Sequence, residues 1–188
     1  VPFSADELAR FARELVERNR QPDAFLRLTL SRGMGPRGYS PKGADQPTLV
    51  MTLHPAPNKN LTELPLWKLI TASTRLPAGE PLAQFKTCNK LAQILARAEA
   101  DAADADEALL LNTDGFVAEA SSSNFFWVEQ DMVCTPPLAS GILAGVTRAV
   151  VREVCRALHV HTRESQPRPQ DLLQADGLFL SLSTLGVV

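Results

Sequence analysis

The stretch from Glu107 to Val128 constrains the fold more than any other part of this 188-residue chain. Glu107-Ala-Leu-Leu-Leu111 and Phe116-Val-Ala-Glu119 flank Asn112-Thr-Asp-Gly115, a turn signal whose Asp-Gly pair supplies the backbone reversal of a hairpin. Asn124-Phe-Phe-Trp-Val128 follows as a third run of strand formers, so a mostly antiparallel sheet is predicted. Two apolar stripes at helical spacing read as helices. Leu91, Ile94, Leu95 and Ala98 lie ahead of the hairpin; Val146, Val150, Val151, Val154 and Leu158, within a helix from Gly145 to Leu158, lie behind it. A short helix over Asp171 to Ala175 and a closing strand over Leu178 to Ser183 complete this half.

The first part of the chain reads differently. Ser4 and Glu7 form a capping box ahead of the stripe Leu8, Phe11, Ala12, Leu15 and Val16, which predicts a helix over 4–18. Phe25 to Leu30 and Thr48 to Leu53 read as strands joined by a loop rich in Gly and Pro. His54 to Pro65 reads as a second loop, and Pro77-Ala-Gly79 as the linker between two domains. The expected class is therefore α+β, with a small α+β domain over 1–78 and a larger one over 79–188.

Composition narrows the functions. A net charge of -2 offers no basic surface for nucleic acid or anionic lipid, and no run of about eighteen apolar residues exists to span a membrane. Cys88, Cys134 and Cys155 are odd in number and lack a Cys-x-x-Cys pair, which points away from a disulfide framework and toward a reducing cytoplasm. His159 and His161 have no third ligand in view, so no metal site is expected. Arg32-Gly-Met-Gly-Pro-Arg-Gly lacks the Gly-Lys-Ser/Thr ending and strand-to-helix setting of a phosphate loop.

Three features then join into one chemistry. Lys86 can form a Schiff base, Glu119 can keep a ring nitrogen protonated, and the helix start at Gly145-Val146-Thr147-Arg148 can bind a phosphate dianion. These are the requirements of pyridoxal 5'-phosphate. Taken singly, each has a plainer reading as a solvated lysine, an exposed strand residue or an ordinary helix start. Their joint order carries the inference.

The ordered blocks Lys86-x-x-Asn89, Glu119-Ala-Ser-Ser-Ser-Asn124-Phe-Phe, Leu143-Ala-Gly-Val-Thr147-Arg148 and Ala175 to Ser183 resemble the class IV aminotransferase family, the fold-type IV pyridoxal-phosphate enzymes. Ser31 to Pro41, with Arg37 and Tyr39, resembles the small-domain loop of its lyase branch. The resemblance implies a two-domain D-amino acid aminotransferase-like fold. Lys86 would be the Schiff-base lysine and the base that moves a substrate proton, a role for which a partly buried amine at a strand end is expected. Glu119 would meet the pyridine nitrogen, Leu143 would pack on the ring face, and Val146, Thr147, Ser183 and Thr184 would form the phosphate cup. Arg37 and Tyr39 would meet the carboxylate of a small amino substrate. In this family that loop can come from a neighbouring subunit, so a homodimer is implied.

Within the family, three details lean toward 4-amino-4-deoxychorismate lyase, which releases pyruvate and 4-aminobenzoate on the route to folate. Asn89-Lys-Leu-Ala-Gln-Ile-Leu, Phe126-Trp127 and Leu182-Ser-Thr-Leu-Gly-Val resemble that branch. Branched-chain aminotransferases tend to carry a tyrosine where this chain has Leu91 and a glutamate where it has Gly186. An aminotransferase of D-amino or branched-chain amino acids is the alternative, and a non-catalytic relative that keeps the fold is a third. The resemblance also leads us to expect that the family's opening segment, with its phosphate-clamping arginine, and its closing strand and helix lie outside these residues.

Overall fold

The computed structural model describes residues 2–56 and 65–188. The chain divides into two compact units, Val1–Leu61 and Thr62–Val188.

In the first unit, α1 (Ala5–Asn19) starts at the expected capping box, with Ser4 Oγ accepting from Glu7 N at 3.2 Å and Glu7 Oε2 accepting from Ser4 N at 2.8 Å. β1 (Ala24–Ser31) and β2 (Thr48–Pro55) form an antiparallel ribbon in register from Ala24↔Pro55 to Ser31↔Thr48. Phe11 and Leu15 of α1 line a groove of about 490 Å³ with Leu49 and Met51 of β2. The predicted loop over His54 to Pro65 starts later, since His54 and Pro55 end β2; most of it lies outside the described residues.

The second unit begins earlier than the Pro77-Ala-Gly79 linker predicts. Leu69–Leu76 forms β3, a strand whose sequence gave no clear alternation, and it pairs in parallel with β4 (Glu107–Asn112). Pro77 to Gly79 is thus a turn inside the second unit, where Ala78 N donates to Thr113 Oγ1 at 3.1 Å and Gly79 N to the Ala139 carbonyl at 3.0 Å. The pairing of β3 with β4 carries the unit's start back past residue 69.

Between β3 and β4 runs α2 (Leu91–Ala102), and after β4 the predicted hairpin leads into β5 (Val117–Ala120). Asn112 builds that turn, its Oδ1 accepting from Asp114 N at 3.1 Å and Phe116 N at 2.9 Å. β6 (Asn124–Glu129) does not extend this sheet. It leaves to pair with β7 (Met132–Thr135) and β9 (Gly177–Leu182) in a second sheet of order β10-β9-β6-β7-β8, where β8 is Thr162–Glu164 and β10 is Gly186–Val187. α3 (Val146–Ala157) links β7 to β8. The expectation of mostly antiparallel pairing holds among the described residues, with two parallel exceptions there, β3/β4 and β7/β8, each bridged by a helix because a parallel neighbour needs a crossover. The predicted helix over Asp171 to Ala175 is a 3-10 segment, Pro169–Gln174.

Burial explains why β4 reads as a continuous apolar run. Ala108 and Leu110 enter a core of small residues where α2 brings Ala96 and Ala100 against β3, whereas Leu109 and Leu111 enter a second core with Phe125, Trp127, Cys134 and Leu180. A strand covered on both faces has no polar side to show.

Candidate active site

The hairpin delivers Glu119, opposite Leu110 in the β4/β5 ladder, to a position where only 6% of it is exposed. Its Oε2 accepts the Leu143 amide at 2.8 Å. The Leu143 carbonyl in turn accepts from Asn124 Nδ2 at 2.9 Å and from the Gly145 amide at 2.9 Å. Leu143 is therefore held on both sides of its residue, by the end of β5 and by the start of β6. Three residues further on, α3 begins.

Gly145 caps that helix without any side-chain hydrogen bond, so the first-turn amides, those of Val146, Thr147 and Arg148, have neither a capping side chain nor an intrahelical acceptor. The helix dipole places partial positive charge at the same point, which suits a phosphate dianion. Gly145 is required by packing: a Cβ there would stand 2.0 Å from Asn124 Oδ1. Gly145→Ala is expected to displace Asn124 and the Leu143 turn, to lower stability by about 1–3 kcal/mol and to weaken phosphate binding. Urea unfolding and a pyridoxal-phosphate titration of the variant measure both.

Burial pushes the Glu119 carboxyl above the usual carboxylate value of 4.5, against the opposing pull of the Leu143 amide and of the Lys90 and Lys86 charges, with the Gln93 side chain beside it. A raised folded-state value means that the stabilisation from the protonated form is complete below the unfolded value and is lost as pH rises through the folded one. The cofactor-free parent should therefore lose thermal stability relative to Glu119→Gln, which is neutral throughout, as pH rises from 4.5 toward neutrality. Calorimetry of the pair across that range shows the gap opening if burial dominates, or a constant gap if it does not.

Lys86 departs from expectation. It is neither at a strand end nor partly buried, but exposed in the connection between a 3-10 turn, Pro81–Gln84, and α2. Thr87 N donates to the Phe85 carbonyl at 3.0 Å and Lys90 N to the Cys88 carbonyl at 2.9 Å, and these tight local turns keep the segment out of any ladder. Its charge nevertheless reaches Glu119.

Ser183 and Thr184 are exposed in the turn between β9 and β10, just past Ser181, which pairs with Asn124 across the sheet. Ser181 is itself 2% exposed, and its Oγ has no partner among the described residues. Arg37 and Tyr39 lie in the first unit, both exposed in the loop between β1 and β2. The second unit thus brings Glu119, Leu143 and the Val146-Thr147 helix start together through direct bonds, and Ser183-Thr184 through the β6/β9 pairing.

Arg148 belongs to the same helix turn but faces away from this function. It is 5% exposed and donates to the Pro136 carbonyl at 2.9 Å and to Glu164 Oε1 at 2.8 Å. Sequence reasoning missed Lys90 and Gln93 as neighbours of Glu119. Their spacing of three at the start of α2, one helical turn, was the available signal. A buried carboxyl, an uncapped helix start, hydroxyls from a neighbouring turn and a lysine whose charge acts on the carboxyl form a donor set that fits pyridoxal phosphate.

The sequence profile of the amino-transferase class IV family matches residues 1–188. A protein of Methanocaldococcus jannaschii, provisionally named a branched-chain-amino-acid aminotransferase, is 31% identical over 188 residues, covering 100% of this chain and 65% of its own. The aminodeoxychorismate lyase of Vibrio harveyi is 34% identical over 169 residues, covering 87% of this chain and 61% of its own. Among solved structures, a protein of Legionella pneumophila provisionally named a 4-amino-4-deoxychorismate lyase superposes with a TM-score of 0.91 at 26% identity, covering 100% of this chain and 68% of its own. The chain spans 61–65% of the length of these first curated relatives.

Proposed function

Because the chain belongs to the amino-transferase class IV family, whose members depend on pyridoxal phosphate, we infer that it is the cofactor-holding part of a lyase that converts 4-amino-4-deoxychorismate into 4-aminobenzoate and pyruvate. The observation that carries the cofactor reading is the bonded path from Glu119 through Leu143 to the uncapped start of α3. Pyridoxal phosphate, when bound, supplies a protonated ring that accepts the electron pair left when a proton departs from the carbon bearing the amine. Glu119 holds the proton on the ring nitrogen, and the amides of Val146 and Thr147 with the hydroxyls of Ser183 and Thr184 receive the phosphate. Lys86 Nζ takes the substrate proton and returns one to the departing three-carbon fragment, which leaves as pyruvate. No amino acceptor is consumed and there is no net oxidation.

One local observation favours elimination over transamination. Gly186, where the aminotransferase pattern tends to place glutamate, has φ of 83°. A side chain there is strained, so the β9–β10 turn after Ser183 and Thr184 is shaped for glycine. Arg37 and Tyr39 would meet the substrate carboxylate, with the loop supplied by a second copy of the chain in a homodimer.

Purified protein with pyridoxal phosphate and aminodeoxychorismate should release pyruvate and 4-aminobenzoate without any added amino acceptor. Turnover only with D-alanine or leucine plus 2-oxoglutarate would replace this reading by the aminotransferase one.

A further inference from the structure

We propose that Glu107, which has no place in the cofactor set above, is a positioning residue for Glu119 and acts through the Ser121-Ser122 turn; what it positions Glu119 to do rests on the proposed function. Glu107 opens β4 and is fully buried, with 0% of its surface exposed. Its Oε1 accepts from the Ala108 amide at 2.8 Å and from Ser121 Oγ; its Oε2 accepts from Ser122 Oγ at 2.5 Å and from the Ser122 amide at 3.2 Å. The turn is also pinned by Ser121 N donating to the Ala108 carbonyl and Ala120 N to the Ser123 carbonyl, each at 2.9 Å.

This turn leads directly from Glu119 to Asn124, and those are the two residues that grip Leu143. A buried carboxylate is costly, and four donors aimed at it offset that cost only while both oxygens accept. Closing a turn of this length requires no buried charge. What the carboxylate adds is a fixed geometry for both of its ends.

Glutamine in place of Glu107 has one accepting oxygen and one NH2 group. The serine hydroxyls can rotate to meet the NH2, but the Ala108 and Ser122 amides cannot reverse, so one N–H must face an N–H. The turn shifts, and Glu119 loses its alignment on the Leu143 amide although Glu107 touches neither group.

Amide hydrogen exchange of the cofactor-free chain tests this. In Glu107→Gln the Leu143 amide should exchange about ten-fold faster or more, while the Val117 amide, bonded to the Pro167 carbonyl, and the β1/β2 amides keep their parental rates. An unchanged Leu143 rate, or acceleration of all amides together, overturns the proposal. If Glu107→Gln does not fold, the Ser121→Ala/Ser122→Ala chain, which retains the carboxylate and loses two donors, should show the same selective change. An unchanged Leu143 rate there overturns it equally. With pyridoxal phosphate bound, the visible band should move in Glu107→Gln in the direction it moves in Glu119→Gln, and by less; a band left at the parental position counts against the proposal. Failure of the parent to take up pyridoxal phosphate would overturn the proposed function, with the exchange rates still deciding the role of Glu107.

Discussion

Lys86→Ala is expected to abolish the visible band of the bound cofactor and to lower turnover by at least about 10²–10⁴-fold, the contribution of a single positioned proton-transfer group. The loss should exceed that range, because on the proposed reading the same side chain would also attach the cofactor covalently. Lys90 provides the control. Its charge also acts on Glu119, but it caps α2 at the helix start and lies outside the Lys86-x-x-Asn89 block. Lys90→Ala should retain the band and most of the turnover. Absorbance spectra and initial rates of the two variants separate the roles, and equal losses in both would remove Lys86 from its special place.

The second large effect falls on stability, away from the cofactor. Glu164→Ala should destabilise the chain by about 3 kcal/mol in urea or thermal unfolding, the lower end for stripping one partner from a buried ion pair. Arg148 is the buried member, with 6% of its side chain exposed, while Glu164 is 35% exposed and also accepts from Arg152 at 2.8 Å. Removing the carboxylate leaves the Arg148 guanidinium with the Pro136 carbonyl alone, and its Nε already has no partner among the described residues. Glu164→Gln, which keeps an acceptor, should cost about 1 kcal/mol. Because Arg148 ties the first turn of α3 to the β7–β8 side, the alanine variant should also loosen phosphate binding.

How much of this was legible depended on whether the signal was local. The hairpin at Asn112–Gly115, the capping box at Ser4 and the helical periodicity of α2 and α3 are written in consecutive residues, and the structure realises these elements, although the stripes themselves stay largely exposed (Leu91 69%, Val146 76%) while α2 buries Ala96 and Ala100 and α3 buries Arg148 and Cys155. β3 was missed because its residues, Leu69-Ile-Thr-Ala-Ser-Thr-Arg-Leu76, become a strand by pairing with β4, more than thirty residues later in the register Leu69↔Glu107. That one pairing also shifted the domain division. The departure of β6 into a second sheet depends likewise on β9, a partner far along the chain.

The site shows the same division. The reading of Lys86, Glu119 and the α3 start rests on order along the chain, whereas Asn124 gripping the Leu143 carbonyl, and Glu107 holding the turn between Glu119 and Asn124, are long-range polar contacts with no periodicity to betray them. Arg148 shows the converse: adjacent to Val146 and Thr147 in sequence, it is directed by the helix toward Glu164 instead.

On the proposed reading, Lys86, whose charge acts on the buried Glu119, is where pyridoxal phosphate would attach. Incubating the chain with pyridoxal phosphate, fixing the attachment with borohydride and mapping the modified peptide measures this directly. Label is expected on Lys86, lost in Lys86→Ala and weakened in Glu119→Ala. Label on Lys90, spread over surface lysines, or absent altogether would contradict it.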